Sequence, residues 1–498
     1  MNSDLRALLV ELAHLSGVAA LLSWDQEVMM PHHAVDARSM QAAIISEQLH
    51  HLHTSDMFKE LLATEVVIET GELLHPHCDP LEASALRLIY KDWKKASRLP
   101  VEFVSDLAHL TSQSQHYWQL ARKKSDFSIF APFLEKIIEK NKEKAILLGF
   151  SDTPYDGLLD EFEPGMTSAQ LTPLFSRVRE GIKPILADIL KNQGPAIGFG
   201  GVFDPETQFK LCKALLAGMT FDYGRGRMDI STHPFTTQFH PSDVRLTIRT
   251  NEFSPLEAIS STLHEGGHAL YEQGLSADWF GTPIGEASSL GVHESQSRIW
   301  ENCIGLSRPF WEGFYPKLKG EFPVLLGDLP LDDFYRHIKY VRPSFIRVEA
   351  DEVTYHMHIF IRYELEQLIF TGQLSVSELP AKWNTLYEEY LGITPPDDAS
   401  GVLQDVHWSC GLFGYFPTYT LGTLLSHQFF DQAMKDIKDL EVHTRRGDFT
   451  MFSKWLKENI HQYGRSKTSA QLVRDICGGE ISEVPYLNYL RQHYQYCC

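Results

Sequence analysis

The residues that stand out chemically are His264-Glu265-Gly266-Gly267-His268, an H-E-x-x-H pattern inside a stretch of helical periodicity. In a helix, four residues at ~100° each leave the two imidazoles about 40° apart round the axis and about 6 Å along it, so both reach one metal ion. Glu265 then lies about 100° from His264, placed to take a proton from a metal-activated water without being a ligand. With 23 histidines in the chain, roughly 0.1 such patterns are expected by chance, so the spacing carries weight. Two adjacent glycines inside a helix cost about 1 kcal/mol each, and close approach of a strand or a substrate to that face would account for them.

A catalytic zinc usually takes three protein ligands and leaves the fourth position to water. The third is expected from the next helix, in Gly291-Val292-His293-Glu294-Ser295-Gln296-Ser297-Arg298, where His293 and Glu294 compete. They point ~100° apart, so one helix face presents only one of them, and spacing leaves the choice open. Further on, Arg347 and Asp351 have two readings: a solvated pair one helical turn apart, or an anion-binding arginine with its orienting aspartate. His407, in Gly401-Val402-Leu403-Gln404-Asp405-Val406-His407-Trp408, and then Tyr415 and Tyr419 add polar groups in a Gly/aromatic loop.

The elements that must hold these groups read as mainly α. Apolar residues recur at three- and four-residue spacing over Asp4 to Leu22, Phe130 to Leu148, Thr167 to Leu190 and Pro343 to about Thr371. Thr167 and Gln170 form a capping-box signature. The run from Val244 to Arg249 alternates apolar and polar residues and predicts a strand in a small sheet. Ser254-Pro255-Leu256-Glu257 follows it as a helix start, with a serine cap, a proline at the first position and a glutamate to close a capping box. No Gly/Ser/Pro-rich linker divides the 498 residues, so a single domain over 1–498 is expected. A net charge of -20 repels phosphate backbones and anionic lipid, which argues against nucleic acid and membrane partners. No uninterrupted apolar run approaches ~18 residues, and the terminal Cys497-Cys498 pair lacks the basic cluster that lipid anchoring uses. The seven cysteines have no C-x-x-C pair and fit a reducing cytoplasm.

Taken together, the chain resembles the thermostable-type (Taq-type) zinc metallocarboxypeptidases, and the likeness runs through nearly its whole length. The residues that carry it are Trp24-Asp25-Gln26-Glu27, Tyr155-Asp156 through Glu163-Pro164-Gly165, and His233-Pro234-Phe235. Asp243-Val244-Arg245-Leu246-Thr247, His264 to Gln273, and His293-Glu294-Ser295-Gln296-Ser297-Arg298 belong to it too. Ile346-Arg347-Val348-Glu349-Ala350-Asp351 and the Gly401 to Trp408 stretch complete it. The resemblance implies zinc, with cobalt possible, on His264, His268 and Glu294, with Glu265 as general acid/base. It also implies removal of single C-terminal amino acids with broad side-chain tolerance, and a homodimer of helical subunits with a deep groove. Arg347, Asp243, Arg245, Asp351, His407 and Tyr415 become candidates for binding peptide substrates. One departure is visible: Ile248 and Thr250 stand where the strand motif often has a second threonine and an aromatic.

The expected mechanism has Glu265 take the proton of a zinc-activated water and pass it to the leaving amine, with Tyr419 sharing the oxyanion charge and His233 and Tyr415 as possible partners. The strand from Val244 to Arg249 is expected to pair with an extended substrate, and Arg347, or else Arg245, to bind the terminal carboxylate. Two alternatives stand beside this. One is an oligopeptide endopeptidase with the same zinc site, which would cleave amidated peptides. The other, from a different class, is a di-iron carboxylate bundle built on the E-x-x-H pairs Glu11/His14 and Glu47/His50. A catalytically silent scaffold that kept its zinc is opposed by the intact Glu265.

Overall fold

The computed structural model describes residues 1–76, 78–198 and 200–494, so Cys497 and Cys498 lie outside the described residues. The chain is mainly helical with one small sheet. The helices that bear on the chemistry are α1 (Ser3–Val28), α2 (Val35–His53), α3 (Ala131–Leu148), α4 (Ser168–Asn192), α5 (Pro205–Gly218), α6 (Leu256–Gly274), α7 (Leu290–Arg298) and α8 (Tyr355–Phe370). Strands β1 (Gly226–Ile230), β2 (Thr236–His240) and β3 (Asp243–Ile248) fall between α5 and α6. The residues cluster into two compact units. The first is Met1–Ser97, Ile197–Tyr335 and Ser426–Glu480; the second is Arg98–Ala196, Arg336–Leu425 and Ile481–Cys498.

In the first unit, α1 starts at Asn2, whose side chain accepts from the Asp4 and Leu5 N–H groups. Glu11, His14 and Ser16 break its apolar runs, yet an 18-residue stretch within it has a mean hydropathy of 1.7, so it is long and apolar enough to cross a membrane by composition, which a count of uninterrupted residues misses. Here it packs on α2 and β2, with Leu5, Leu8, Leu9 and Trp24 buried.

The sheet has the order β1-β3-β2, with β3 parallel to β1 and antiparallel to β2. The predicted strand is therefore present, starting one residue early, but it is central. Both its edges are paired, so a substrate strand cannot add to it; the outer edges belong to β1 and β2. Val244, Leu246 and Ile248 are buried, and β3 packs on α6. Strand alternation turns Asp243 and Arg245 to the opposite face. There Arg245 pairs with Asp243 through bonds of 2.8 and 2.7 Å and lies 4.7 Å from the ring centres of both Trp24 and Phe239.

Helix α6 begins at Leu256, with Pro255 as its cap residue. The Ser254 hydroxyl accepts from the Leu256 N–H at 3.3 Å, but the predicted capping box does not close. Glu257 falls one residue short of the required position and accepts instead from Asn251 Nδ2 at 3.0 Å. The paired glycines have a different cause from the one expected. A Cβ on Gly267 would stand 2.4 Å from the Gln296 carbonyl oxygen and 2.7 Å from Ser297 Cα, so the neighbour is the backbone of α7 rather than a strand or a substrate. A Cβ on Gly266 would meet Met219 Cε at 2.7 Å and Leu216 Cδ1 at 2.9 Å.

The second unit has its own apolar core, formed by Leu134 and Ile137 of α3, Phe175 and Val178 of α4, and Phe360 of α8 among others. The Thr167–Gln170 capping box is formed at the start of α4. The long helix predicted from Pro343 is not. Arg347–Glu349 is a 3-10 turn, and α8 starts only at Tyr355. Asp351 sets that start: its carboxylate accepts from the N–H groups of Val353 and Thr354 at 3.0 and 2.9 Å and from Arg342 at 2.9 Å.

The unequal neighbours of the two glycines give a stability test. Gly267→Ala pushes against immobile backbone and should cost about 2–3 kcal/mol, an overpacking penalty. Gly266→Ala pushes against the end of a flexible methionine, and its cost, measured by denaturant unfolding, should be clearly smaller. Equal costs would mean that the contact between α6 and α7 is not tight.

Candidate active site

Helix α6 presents His264 and His268 one turn apart, and α7, held against it at Gly267, presents Glu294. Glu294 Oε2 lies 3.8 Å from His264 Nε2 and 3.6 Å from His268 Nε2. Three atoms each ~2.1 Å from a tetrahedral zinc stand roughly 3.4 Å apart, so the spacing and the N/N/O donor set fit such an ion. Among the described residues this is the one group of His, Cys, Asp and Glu side chains able to hold a metal. The pairs Glu11/His14 and Glu47/His50 form no such group. His293 is turned away from the ion position. Its ring stacks on His268 with centroids 4.2 Å apart, and its Nε2 lies 2.8 Å from Glu272 Oε1.

Carboxylates dominate the electrostatics. Burial opposes a charge on His264, but Glu301 and Glu294 outweigh it and lift its pKa to about 9. That same negative field attracts a metal cation. Burial pushes His268 well below the ordinary imidazole range, so its ring is neutral and able to ligate. Glu265 sits among these groups without being one of the three. Burial raises its pKa, opposed by His264 and by the hydroxyl of Thr236, which donates to Oε2 at 2.7 Å. Thr236 is on β2, so the outer strand steadies the carboxylate suited to general-base work.

In the second unit, Arg347 is 6% exposed and meets a different aspartate from the one expected. Its Nε and Nη2 donate to Asp405 Oδ1 at 2.9 and 2.8 Å, while Arg362 Nε donates to Asp405 Oδ2 at 2.7 Å. Asp351, the predicted partner, is engaged in its cap. Two guanidiniums share one carboxylate, so the positive charge of the pair exceeds the negative charge of Asp405. Burial opposes the Asp405 charge, but Arg362 and Arg347 hold its pKa well below the usual carboxylate range. Arg347 also donates to the Tyr355 hydroxyl at 3.0 Å and lies over the Tyr419 ring at 5.1 Å. His407 is pushed down to about 4 by burial; its Nε2 is 3.3 Å from the Tyr419 hydroxyl and its ring 5.2 Å from that of Tyr415.

The structure thus gathers Arg347, His407, Tyr415 and Tyr419 into one cluster, and His264, Glu265, His268 and Glu294 into another. Asp243 and Arg245 occupy the sheet face opposite α6 and satisfy each other. His233 lies exposed in the loop between β1 and β2. Sequence reading passed over Thr236, Glu301, Asp405 and Arg362. Asp405 stood inside a quoted motif, and Glu301 follows Glu294 by seven residues, two helical turns on the same face.

The family model described as the carboxypeptidase Taq (M32) metallopeptidases matches residues 4–494. The chain is similar to thermostable carboxypeptidase 1 of Thermus thermophilus, with 40% identity covering 97% of this chain and 96% of the relative. It is also similar to carboxypeptidase 1 of Bacillus subtilis, with 38% identity covering 98% of this chain and 96% of that one. Among solved structures, the M32 carboxypeptidase of Deinococcus radiodurans superposes with a TM-score of 0.95 at 36% identity, over 99% of this chain and 98% of that one. A Pyrococcus furiosus carboxypeptidase superposes with a TM-score of 0.94 at 35% identity, over 99% of each chain.

Removing the shared carboxylate should be costly. Asp405→Asn leaves two buried guanidiniums uncompensated and is expected to destabilise the fold by about 3–5 kcal/mol. The contribution has a definite pH sense. Because the folded pKa is depressed, the stabilisation is complete above the unfolded value near 4 and is lost progressively as pH falls from there toward the much lower folded value. The stability gap between wild type and variant should therefore narrow by about 1 kcal/mol between pH 7 and pH 3 without closing; an unchanged gap would show that Asp405 is not charged in the fold.

Proposed function

From the premise that the chain belongs to the carboxypeptidase Taq (M32) metallopeptidase family, and is therefore a metallocarboxypeptidase, we propose that it works with zinc on His264, His268 and Glu294 and with Glu265 as general base. Cobalt is the alternative ion. The observation that carries this reading is three converging ligand atoms beside a buried carboxylate that is not one of them. Zinc, when bound, supplies a Lewis acid that acidifies water toward pKa ~7 and polarises a peptide carbonyl.

The protein's own groups do the rest. Glu265 accepts the proton of the attacking water and delivers it to the leaving amine, while Thr236 holds one of its carboxylate oxygens. Arg347, bonded to Asp405, is assigned to the terminal carboxylate of the peptide. Tyr419 donates to the developing oxyanion. Tyr415 and His407 border that tyrosine and are assigned to substrate contact. Asp243, Arg245, Asp351 and His233 have no part in this scheme: the first three are engaged elsewhere, and the last lies exposed in its loop. The endopeptidase alternative is set aside by the carboxypeptidase family to which the chain belongs.

The working form is proposed to be a homodimer in the cytoplasm. Two features support this. The described cysteines are all free thiols, and α2 has no buried residue along its whole length. Val35, Met40 and Ile44 of α2 are 50, 70 and 54% exposed, and Val18 and Leu21 of α1 join them on the same hairpin. Two adjoining helices of this length offer a face of roughly 600–800 Å², the amount each copy gives to a stable dimer. Ile44→Glu should convert a dimer to a monomer in sedimentation experiments; a monomeric wild type would refute the assembly.

The activity test is release of free amino acid from an N-blocked dipeptide before and after chelation, with zinc and cobalt restored separately. Glu265→Gln should keep the metal and lose at least about a thousandfold in kcat. Arg347→Ala should abolish the preference for a free carboxylate over a C-terminal amide. Normal turnover by the first variant, or an unchanged preference in the second, would overturn the assigned roles.

A further inference from the structure

Glu301 is neither a ligand nor part of the proposed proton path, yet it touches the metal site. The chain leaves α7 at Arg298 and continues directly into a π-turn, Ile299–Ile304. Such widened turns are uncommon and are often found where a side chain must be re-aimed. Here the turn carries Glu301 back toward α6. Its Oε2 lies 2.8 Å from His264 Nδ1, and its Oε1 accepts from the Ser260 hydroxyl at 2.8 Å. Arg298 completes the arrangement: Nη1 donates to Glu301 Oε2 at 3.2 Å and Nε donates to Glu294 Oε1 at 2.7 Å. One guanidinium therefore ties the ligand carboxylate to the supporting one.

An ionised carboxylate only accepts hydrogen bonds, so a proton of His264 belongs on Nδ1, and Nε2, facing Glu294, is the nitrogen that a metal takes by displacing its proton. The second imidazole is supported differently: among the described residues His268 Nδ1 has no carboxylate partner, and the segment at His293 backs the ring instead. The two histidines are thus held unequally: the first by charge, the second by the ring of His293 stacked on it.

We propose that Glu301 is a positioning residue for the metal, fixing the tautomer and orientation of His264, with Arg298 coupling it to Glu294. This rests on the reading of His264, His268 and Glu294 as the ligands. Glu301 raises the basicity of the imidazole and removes the rotational freedom that metal binding would otherwise have to quench.

The test uses the full-length protein stripped of metal and titrated with zinc alone against a competing chelator. Glu301→Ala should weaken zinc binding by about 10–100-fold, and Glu301→Gln, which keeps the shape and loses the charge, by at least fivefold. The metal-free Glu301→Gln protein should still melt cooperatively, though at a lower temperature because Arg298 loses a counter-charge, and its KM at saturating zinc should stay at the wild-type value, a readout that a general loss of structure would move. If Glu301→Ala does not fold, the isosteric glutamine variant decides. A loss under fivefold in that variant overturns the proposal. His264→Ala serves as the control for the underlying reading: wild-type zinc affinity in that variant would reject the ligand set itself, whereas lost zinc binding there with intact binding in Glu301→Gln would reject only the role of Glu301.

Discussion

The close approach of two helix backbones at Gly267 is the constraint on which the site depends. There is room for a hydrogen between α6 and the Gln296 carbonyl and none for a methyl. Two glycines in one helix sacrifice about 2 kcal/mol of helix propensity in total. What they secure is the separation of His264 and His268 from Glu294, which sits two residues before the point of contact. The contact is held from further sides. Gln296 Oε1 is 2.9 Å from His461 Nε2, and Gly274 at the far end of α6 makes room for that same imidazole. Ser295, Gln296 and Ser297 are fully buried, so the ligand helix cannot roll without breaking its packing.

Charge is organised to opposite ends in the two clusters. Around α6 and α7, the carboxylates of Glu265, Glu294 and Glu301 crowd two imidazoles, with Arg298 the cation between two of them. Burying such a set is unfavourable unless a cation neutralises it, so the folded protein is primed for a divalent ion before one arrives. In the second unit, Arg347 and Arg362 share Asp405 under aromatic rings. There two guanidiniums face one shared carboxylate, the reverse of the balance around α6 and α7.

Much of this was legible in the chain, for identifiable reasons. The H-E-x-x-H pattern was decisive because a helix converts four-residue spacing into one face. The Thr167–Gln170 cap and the alternation from Val244 are similarly local. Most of the errors are non-local. Asp351 follows Arg347 by four residues, and only a helix would pair them; the aspartate instead caps α8, and the arginine finds a partner 58 positions away. Glu257 closes a capping box only in a helix that starts one residue earlier than α6 does. The central place of β3 depends on the order of three strands, which alternation does not encode. The glycine pair announced a close neighbour, but only the packing of α7 says which.

Locating the metal tests the account most directly. Diffraction at the zinc absorption edge from the metal-loaded protein should show one strong anomalous peak per chain, about 2.0–2.2 Å from a ring nitrogen of His264, a ring nitrogen of His268 and a carboxylate oxygen of Glu294. A peak ligated by His293 in place of Glu294, or none between α6 and α7 in a fully active sample, would contradict it.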